Sequence, residues 1–153
     1  MSYDVKQSNI SPQLVAYAEG TDNPSQIRDL FGKLMNTVSK HMGANGGKPA
    51  GPPFTRYMEM DDESVRMWVG IPLRDTIPGG NGIVVDSLPG GNIAMTTHIG
   101  SLDHLGAAHE AVLSWIDESE FEQAGPPWEY YWGDPQKEPD PSKWKTEVFF
   151  PLK

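Results

Sequence analysis

The chain has 153 residues, 37% hydrophobic and 10% aromatic, enough to bury a real core as one domain and too apolar for a disordered chain. Twelve Lys+Arg against 21 Asp+Glu give a formal charge of −9, a field that repels phosphates; with no basic stripe and no helix-turn-helix segment, nucleic-acid binding is not expected. There are no cysteines, which removes disulfides, thiolate zinc sites and cysteine nucleophiles, and suits a cytoplasmic location. The opening residues MSYDVKQSNISPQ carry no apolar core of the signal-peptide kind, and no stretch is long enough to span a membrane. Asn9-Ile10-Ser11 has the form of a glycosylation sequon, read here as a chance match.

Residues 3–19 read as extended chain, with Leu14 to Ala18 as the apolar part and Gly20 to Pro24 as a turn. From Pro24 to about Met42, the residues Ile27, Leu30, Phe31, Leu34, Met35, Val38 and Met42 form one helical face. Asn23 is placed to cap that helix, Pro24 to open it and Gly43 to stop it. A Gly/Pro-rich loop leads to strands Phe54–Met60 and Val65–Leu73, joined by the acidic turn Asp61-Asp62-Glu63. After the loop Pro78–Gly82, strand residues run from Ile83 to Ile99 with a break at Leu88–Gly91. A second helix is expected from about Ser101 to Ser119, its inner face Leu105, Ala108, Val112, Leu113, Trp115 and Ile116. Strand Trp128–Trp132 follows, then a loop with Asp134-Pro135 and Pro139-Asp140-Pro141, then strand Trp144–Leu152.

The chain says nearly the same thing twice. GPPFTRY at residues 51–57 returns as GPPWEYY at 125–131, and Val69-Gly70-Ile71-Pro72-Leu73 returns as Val148-Phe149-Phe150-Pro151-Leu152. The first pair is offset by 74 residues (Gly51 to Gly125) and the second by 79 (Pro72 to Pro151), the loop after Gly133 being longer. The expected fold is therefore α+β: a single domain of two β-α-β-β repeats, about 1–77 and 82–153. Pseudo-two-fold symmetry would put the helices on one face and a ligand groove between the halves.

In the last strand of each repeat, Val69 and Ile71, and Val148 and Phe150, form the natural helix-packing faces. The opposite faces then carry Trp68 in one half and Glu147, at the equivalent position, with Phe149 in the other. A carboxylate among ring faces suits a flat lipophilic cation, because each ring attracts a cation by ~0.5–2 kcal/mol and a desolvated carboxylate gains most from a charged partner. The plainer alternative makes Glu147 an exposed strand residue paired with Lys145 or Arg66. Alternation puts Trp128, Tyr130 and Trp132 on one side of their strand and Glu129 and Tyr131 on the other. Tyr131 corresponds to Tyr57, and both are candidates for the groove, with ordinary core packing as the alternative. Gly43–Lys48 lacks the flanking Gly and Ser/Thr of a phosphate loop, and His109-Glu110 lacks the second His of a zinc protease. His98, His104 and His109 are read as structural, so no metal or other cofactor is expected.

GPPF-x-R-Y, LPGG-x-x-A-x-T-x-H-x-G, the helix ending Trp115-Ile116, GPPWEYY, Asp134-Pro135 and the terminal Thr146-Glu147-Val148-Phe149-Phe150-Pro151-Leu152 together resemble a GyrI-like small-molecule-binding domain, also called the AraC effector-binding domain. The resemblance covers nearly the whole chain and implies two β-α-β-β repeats around a ligand groove. In regulators of this kind the domain is fused to a DNA-binding head; this chain resembles the stand-alone members. The resemblance also implies amphipathic, often cationic, aromatic ligands and matches the family's last-strand acidic residue to Glu147. The first expectation is a multidrug-type receptor or sequestering protein, with Glu147 as charge partner and Trp68, Phe149, Tyr131, Tyr57 and Trp132 as aromatic contacts. The second is a hydrolase of strained cyclopropane-containing genotoxins, Glu147 acting as general base and Tyr131 polarising an oxygen. A third is a protein that blocks a partner such as gyrase.

Overall fold

The computed structural model describes residues 3–132 and 138–153, and among them two apolar stripes of period 3.6 form two α-helices and the extended segments form eight strands. The strands are β1 (Lys6–Ile10), β2 (Gln13–Asp22), β3 (Phe54–Met60), β4 (Val65–Pro72), β5 (Val84–Leu88), β6 (Gly91–Ile99), β7 (Trp128–Tyr131) and β8 (Lys145–Pro151). The helices are α1 (Ile27–Ala44) and α2 (Leu105–Asp117). Asp134-Pro135 lies outside the described residues.

The chain divides into two compact units. The N-terminal unit is Pro12–Pro89; the C-terminal unit takes residues up to Ser11 together with everything from Gly90 on. The expected first extended stretch is thus two strands belonging to different units. β1 pairs with β6 of the C-terminal unit, and β5 pairs with β2 of the N-terminal unit, so each unit's outer strand comes from beyond its own repeat.

In the N-terminal unit the antiparallel order is β3-β4-β2-β5. Helix α1 covers one face of this sheet. Leu30, Val38 and Met42 pack on Ala16, Ala18, Met67 and Val69, with Leu34 and Met35 flanking them. The start is as expected: Asn23 Oδ1 accepts from Ser25 N–H at 2.9 Å, closing a short 3-10 turn at Pro24–Gln26 before α1 proper. The stop differs. Gly43 lies inside the last helical turn, and the left-handed residue is Gly46 (φ 65°), after which Gly47 N–H returns to Met42 O at 2.9 Å.

The C-terminal unit repeats the plan, with order β1-β6-β8-β7. Helix α2 buries Leu105, Ala108, Val112 and Ile116 against Ala94, Val148 and Phe150. Leu113, expected on the inner face, is 44% exposed, because the buried residues keep a strict i, i+3, i+4 line that Leu113 falls outside. The α+β class and the doubled strand-helix plan are therefore as the repeat indicated, with the helix on one face of each unit's sheet.

Candidate functional site

Strand alternation decides which side chains share the sheet face opposite the helix. In β8, Thr146, Val148 and Phe150 are buried on the α2 side, leaving Lys145, Glu147 and Phe149 on the other. In β7, Glu129 and Tyr131 turn toward α2, leaving Trp128 and Tyr130 with the β8 residues. The ladder sets Tyr130 directly across from Glu147 and Trp128 across from Phe149. Trp128 and Phe149 stack with centroids 5.8 Å apart, and Tyr130 meets Phe149 edge-on at 5.4 Å. Just past β7, Trp132 backbone N–H donates to Lys145 O at 3.0 Å, and its indole Nε1–H donates to Glu147 Oε1. The Lys145 ammonium stands 5.6 Å from the centre of the same indole.

Glu147 is half-buried among these rings. Burial pushes the Tyr130 hydroxyl up to about 12, the neighbouring Trp128 indole opposes that shift, and the Glu147 charge adds to it. The face therefore carries the Glu147 side chain, the Lys145 ammonium, a Tyr130 phenol that keeps its proton near neutral pH, and ring edges and faces.

The N-terminal unit carries a different set at the equivalent positions. Arg56 stands for Tyr130, Trp68 for Glu147 and Gly70 for Phe149. Trp68 stacks on Tyr17 at 3.9 Å with planes 12° apart, lies 5.1 Å from the Arg56 guanidinium, and donates its indole N–H to Glu19 Oε2 at 2.8 Å. β4 runs between β3 and β2, so Arg56 and Tyr17 flank the indole from opposite sides. Burial lowers the Arg56 pKa while Asp86 and Tyr17 raise it; burial, then Asp86 and Glu19, raise that of Tyr17. Gly70 is required by the close approach of β2: a Cβ there would meet Ala16 O at 2.1 Å and the Phe54 ring at 2.9 Å.

Of the residues singled out in the sequence, Glu147, Phe149 and Trp132 come together on one face. Trp68 occupies the N-terminal stack. Tyr57 and Tyr131 both stand on the helix sides: Tyr57 packs with Val65, Met67 and Val69, and Tyr131 with the α2 core. The cause is the same alternation, which separates each tyrosine from the open-face residue next to it. Tyr131 O–H donates to Glu129 Oε2 at 2.6 Å, and His109 Nε2–H donates to Glu129 Oε1 at 2.7 Å, so the buried Glu129 ties β7 to α2. His98 is also engaged, Nε2–H donating to Ser101 O at 2.9 Å and Nδ1 bonded to the Tyr3 hydroxyl at 2.9 Å. Among the described residues no group of three His, Cys, Asp or Glu is placed to hold a metal ion, and no helix is long and apolar enough to cross a membrane.

Sequence reasoning did not select Tyr130, Tyr17, Glu19 or Arg56. Tyr130 had a signal, since alternation already grouped it with Trp132. Tyr17, Glu19 and Arg56 had none, because their role depends on the register of β2 and β3 against β4.

Two four-stranded units, each with one helix, and an acidic aromatic face in the second, define a duplicated α+β ligand-binding domain. The chain belongs to the GyrI-like small molecule binding domain family, whose pattern matches residues 3–153. A comparison with curated protein sequences finds no match. Among solved structures, the C-terminal domain of EcmrR is similar over 100% of this chain and 99% of its own, with a TM-score of 0.85 and 21% identity. In the EcmrR–DNA complex the match has a TM-score of 0.86 at 20% identity; it covers 99% of this chain and 57% of the EcmrR chain. A hydrolase from Listeria innocua matches with a TM-score of 0.64 and 12% identity, over 97% of this chain and 91% of its own. The protein SAV2435 bound to tetraphenylphosphonium matches with a TM-score of 0.61 and 16% identity, over 100% and 94%. At these identities the likenesses establish the fold.

Proposed function

We propose that this small-molecule-binding domain takes lipophilic aromatic cations at the Glu147–Trp132 edge of the face of its C-terminal sheet turned away from α2. Glu147 is the charge partner; Tyr130 and Trp132 supply the ring contacts, backed by the buried Phe149. The observation that carries this reading is the setting of Glu147: half-buried, across from Tyr130, with an indole N–H on one oxygen. A carboxylate so placed has lost part of its water and gains from a cation that brings its own apolar surface. The N-terminal unit differs at this point, since Trp68 stands where Glu147 does, 5.1 Å from the chain's own Arg56 guanidinium, and offers no carboxylate there. Tetraphenylphosphonium, the compound bound to the similar SAV2435, is of this class. A multidrug-type receptor or sequestering role in the cytoplasm follows, and no protein or nucleic-acid partner is needed for it.

The test is calorimetric titration with tetraphenylphosphonium. Glu147→Gln is expected to weaken binding about tenfold, the equivalent of one partly desolvated charge contact. Equal affinity in the two proteins would remove Glu147 from the site.

One observation favours a second reading. Tyr130 holds a protonated hydroxyl on the face that bears Glu147, the pair needed for a general base on water and an oxygen-polarising donor. Tyr131, whose hydroxyl is committed to Glu129, is replaced by Tyr130 in this role. A similar fold is described as a hydrolase. Mass spectrometry of a cyclopropane-bearing electrophile after incubation decides it: no water adduct above buffer ends the hydrolase reading.

A further inference from the structure

We propose that Lys145 is a built-in competitor for the cation site and sets which cations enter it. The inference rests on the cation-binding reading above and identifies the residue that gives it selectivity. Three observations meet at this point. The Lys145 ammonium lies 5.6 Å from the centre of the Trp132 ring. Trp132 is 52% exposed, so the ring is open to solvent and to a ligand. The Trp132 backbone N–H is bonded to Lys145 O at 3.0 Å, and Lys145 shares its strand face with Glu147 two residues on, so the ladder builds the ammonium, the ring and the carboxylate into one cluster.

The repeat sharpens the point. Arg66 is the N-terminal counterpart of Lys145, and it is tied to carboxylates, Glu59 at 3.1 Å and Glu19 at 3.4 Å. Lys145 instead meets a ring whose N–H is already on Glu147. It therefore occupies, with the chain's own charge, the place that a ligand cation would take.

An ammonium is compact and strongly hydrated, and it keeps most of its water when it rests on an exposed ring. A flat or phenyl-clad cation covers the ring with apolar surface and loses little hydration, so it displaces the lysine. A small hydrophilic cation gains no more from the ring than Lys145 does and is turned away. Lys145 thus raises the threshold for entry and favours lipophilic cations over simple ammonium ions.

The experiment compares wild type with Lys145→Met, which keeps an apolar stem, and with Lys143→Met, which removes an exposed charge two residues earlier in the chain. An exposed cation–π contact of the usual strength corresponds to about a 2- to 5-fold gain in tetraphenylphosphonium affinity in Lys145→Met. Tetramethylammonium is expected to gain at least as much, narrowing selectivity, while Lys143→Met leaves both affinities unchanged. Without ligand, the Trp132 indole N–H resonance, identified by its loss in Trp132→Phe, is expected to shift in Lys145→Met only. An unmoved resonance, unchanged or weaker phosphonium binding in Lys145→Met, or an equal gain in Lys143→Met overturns the competitor. If binding is lost in Glu147→Gln yet indifferent to Lys145→Met, only the competitor fails. If neither wild type nor Lys145→Met binds the phosphonium, the cation-site reading fails and takes the competitor with it.

Discussion

Glu129 is 1% exposed and its two oxygens accept from different elements, His109 on α2 and Tyr131 on its own strand, at 2.7 and 2.6 Å. Replacing it by Gln keeps the volume and removes the charge. A carboxylate accepts at both oxygens, whereas an amide must turn its NH2 toward one of the two partners. One charge-assisted bond is therefore lost and the other becomes neutral. Charge-assisted bonds contribute ~1.5–3 kcal/mol each and neutral ones ~1, so Glu129→Gln should cost about 2–5 kcal/mol. For a domain of this size that is a fall of about 4–20 °C in Tm. Urea unfolding followed by circular dichroism gives the free energy, and a thermal scan gives Tm. A cycle with Tyr131→Phe should show coupling of about 1 kcal/mol, since both changes break the same bond. Tetraphenylphosphonium affinity should stay within about twofold, because the network lies on the α2 side of β7. A stability loss below about 0.5 kcal/mol would refute the assignment of Glu129 as the tie between β7 and α2.

Two further predictions concern the sheet faces. Gly70→Ala drives a Cβ to 2.1 Å from a backbone carbonyl of the neighbouring strand, a contact no side-chain rotation relieves, and should cost about 3 kcal/mol or more in urea unfolding. Tyr130 gives a pH dependence: its folded-state pKa of about 12 lies above the ordinary 10.0, so the unfolded chain loses the proton first. The associated stability is fully present below pH 10 and falls as pH rises from 10 toward 12, and Tyr130→Phe should flatten that fall. Equal slopes in the two proteins would show that Tyr130 is not held neutral by its surroundings.

Much of the architecture was legible because duplication leaves local marks. The GPP turns, the Pro-Leu strand ends and two helical stripes are all short-range signals, and period-2 alternation correctly parted Val148 and Phe150 from Glu147 and Phe149. What was not legible depends on partners far along the chain. Nothing local says that residues 6–10 pair with β6 while residues 13–22 pair with β4 and β5. Tyr57 and Tyr131 illustrate a second limit. Their repeat equivalence marks them as special, but a conserved place in a duplicated motif does not distinguish a helix-side tyrosine from a ligand-side one. The alternation that puts Tyr130 with Trp132 also puts Tyr131 with Glu129, and a buried acid with two partners has no signature in composition.

The exchange of outer strands between the two repeats bears on how the chain comes to be folded. The Pro12–Pro89 segment holds all four strands of its own sheet in one continuous stretch. The later unit does not: β1 is made first, yet its partner β6 begins at Gly91. During synthesis β1 must wait, unpaired, while a whole unit forms behind it, and the closing of that long loop falls late in the folding order. A fragment beginning at Gly90 would be born with the flank of β6 bare, a row of open backbone donors and acceptors ready to recruit a strand from another molecule. Strand β1, Lys6–Ile10, therefore acts as the seal on the half of the protein that carries Glu147.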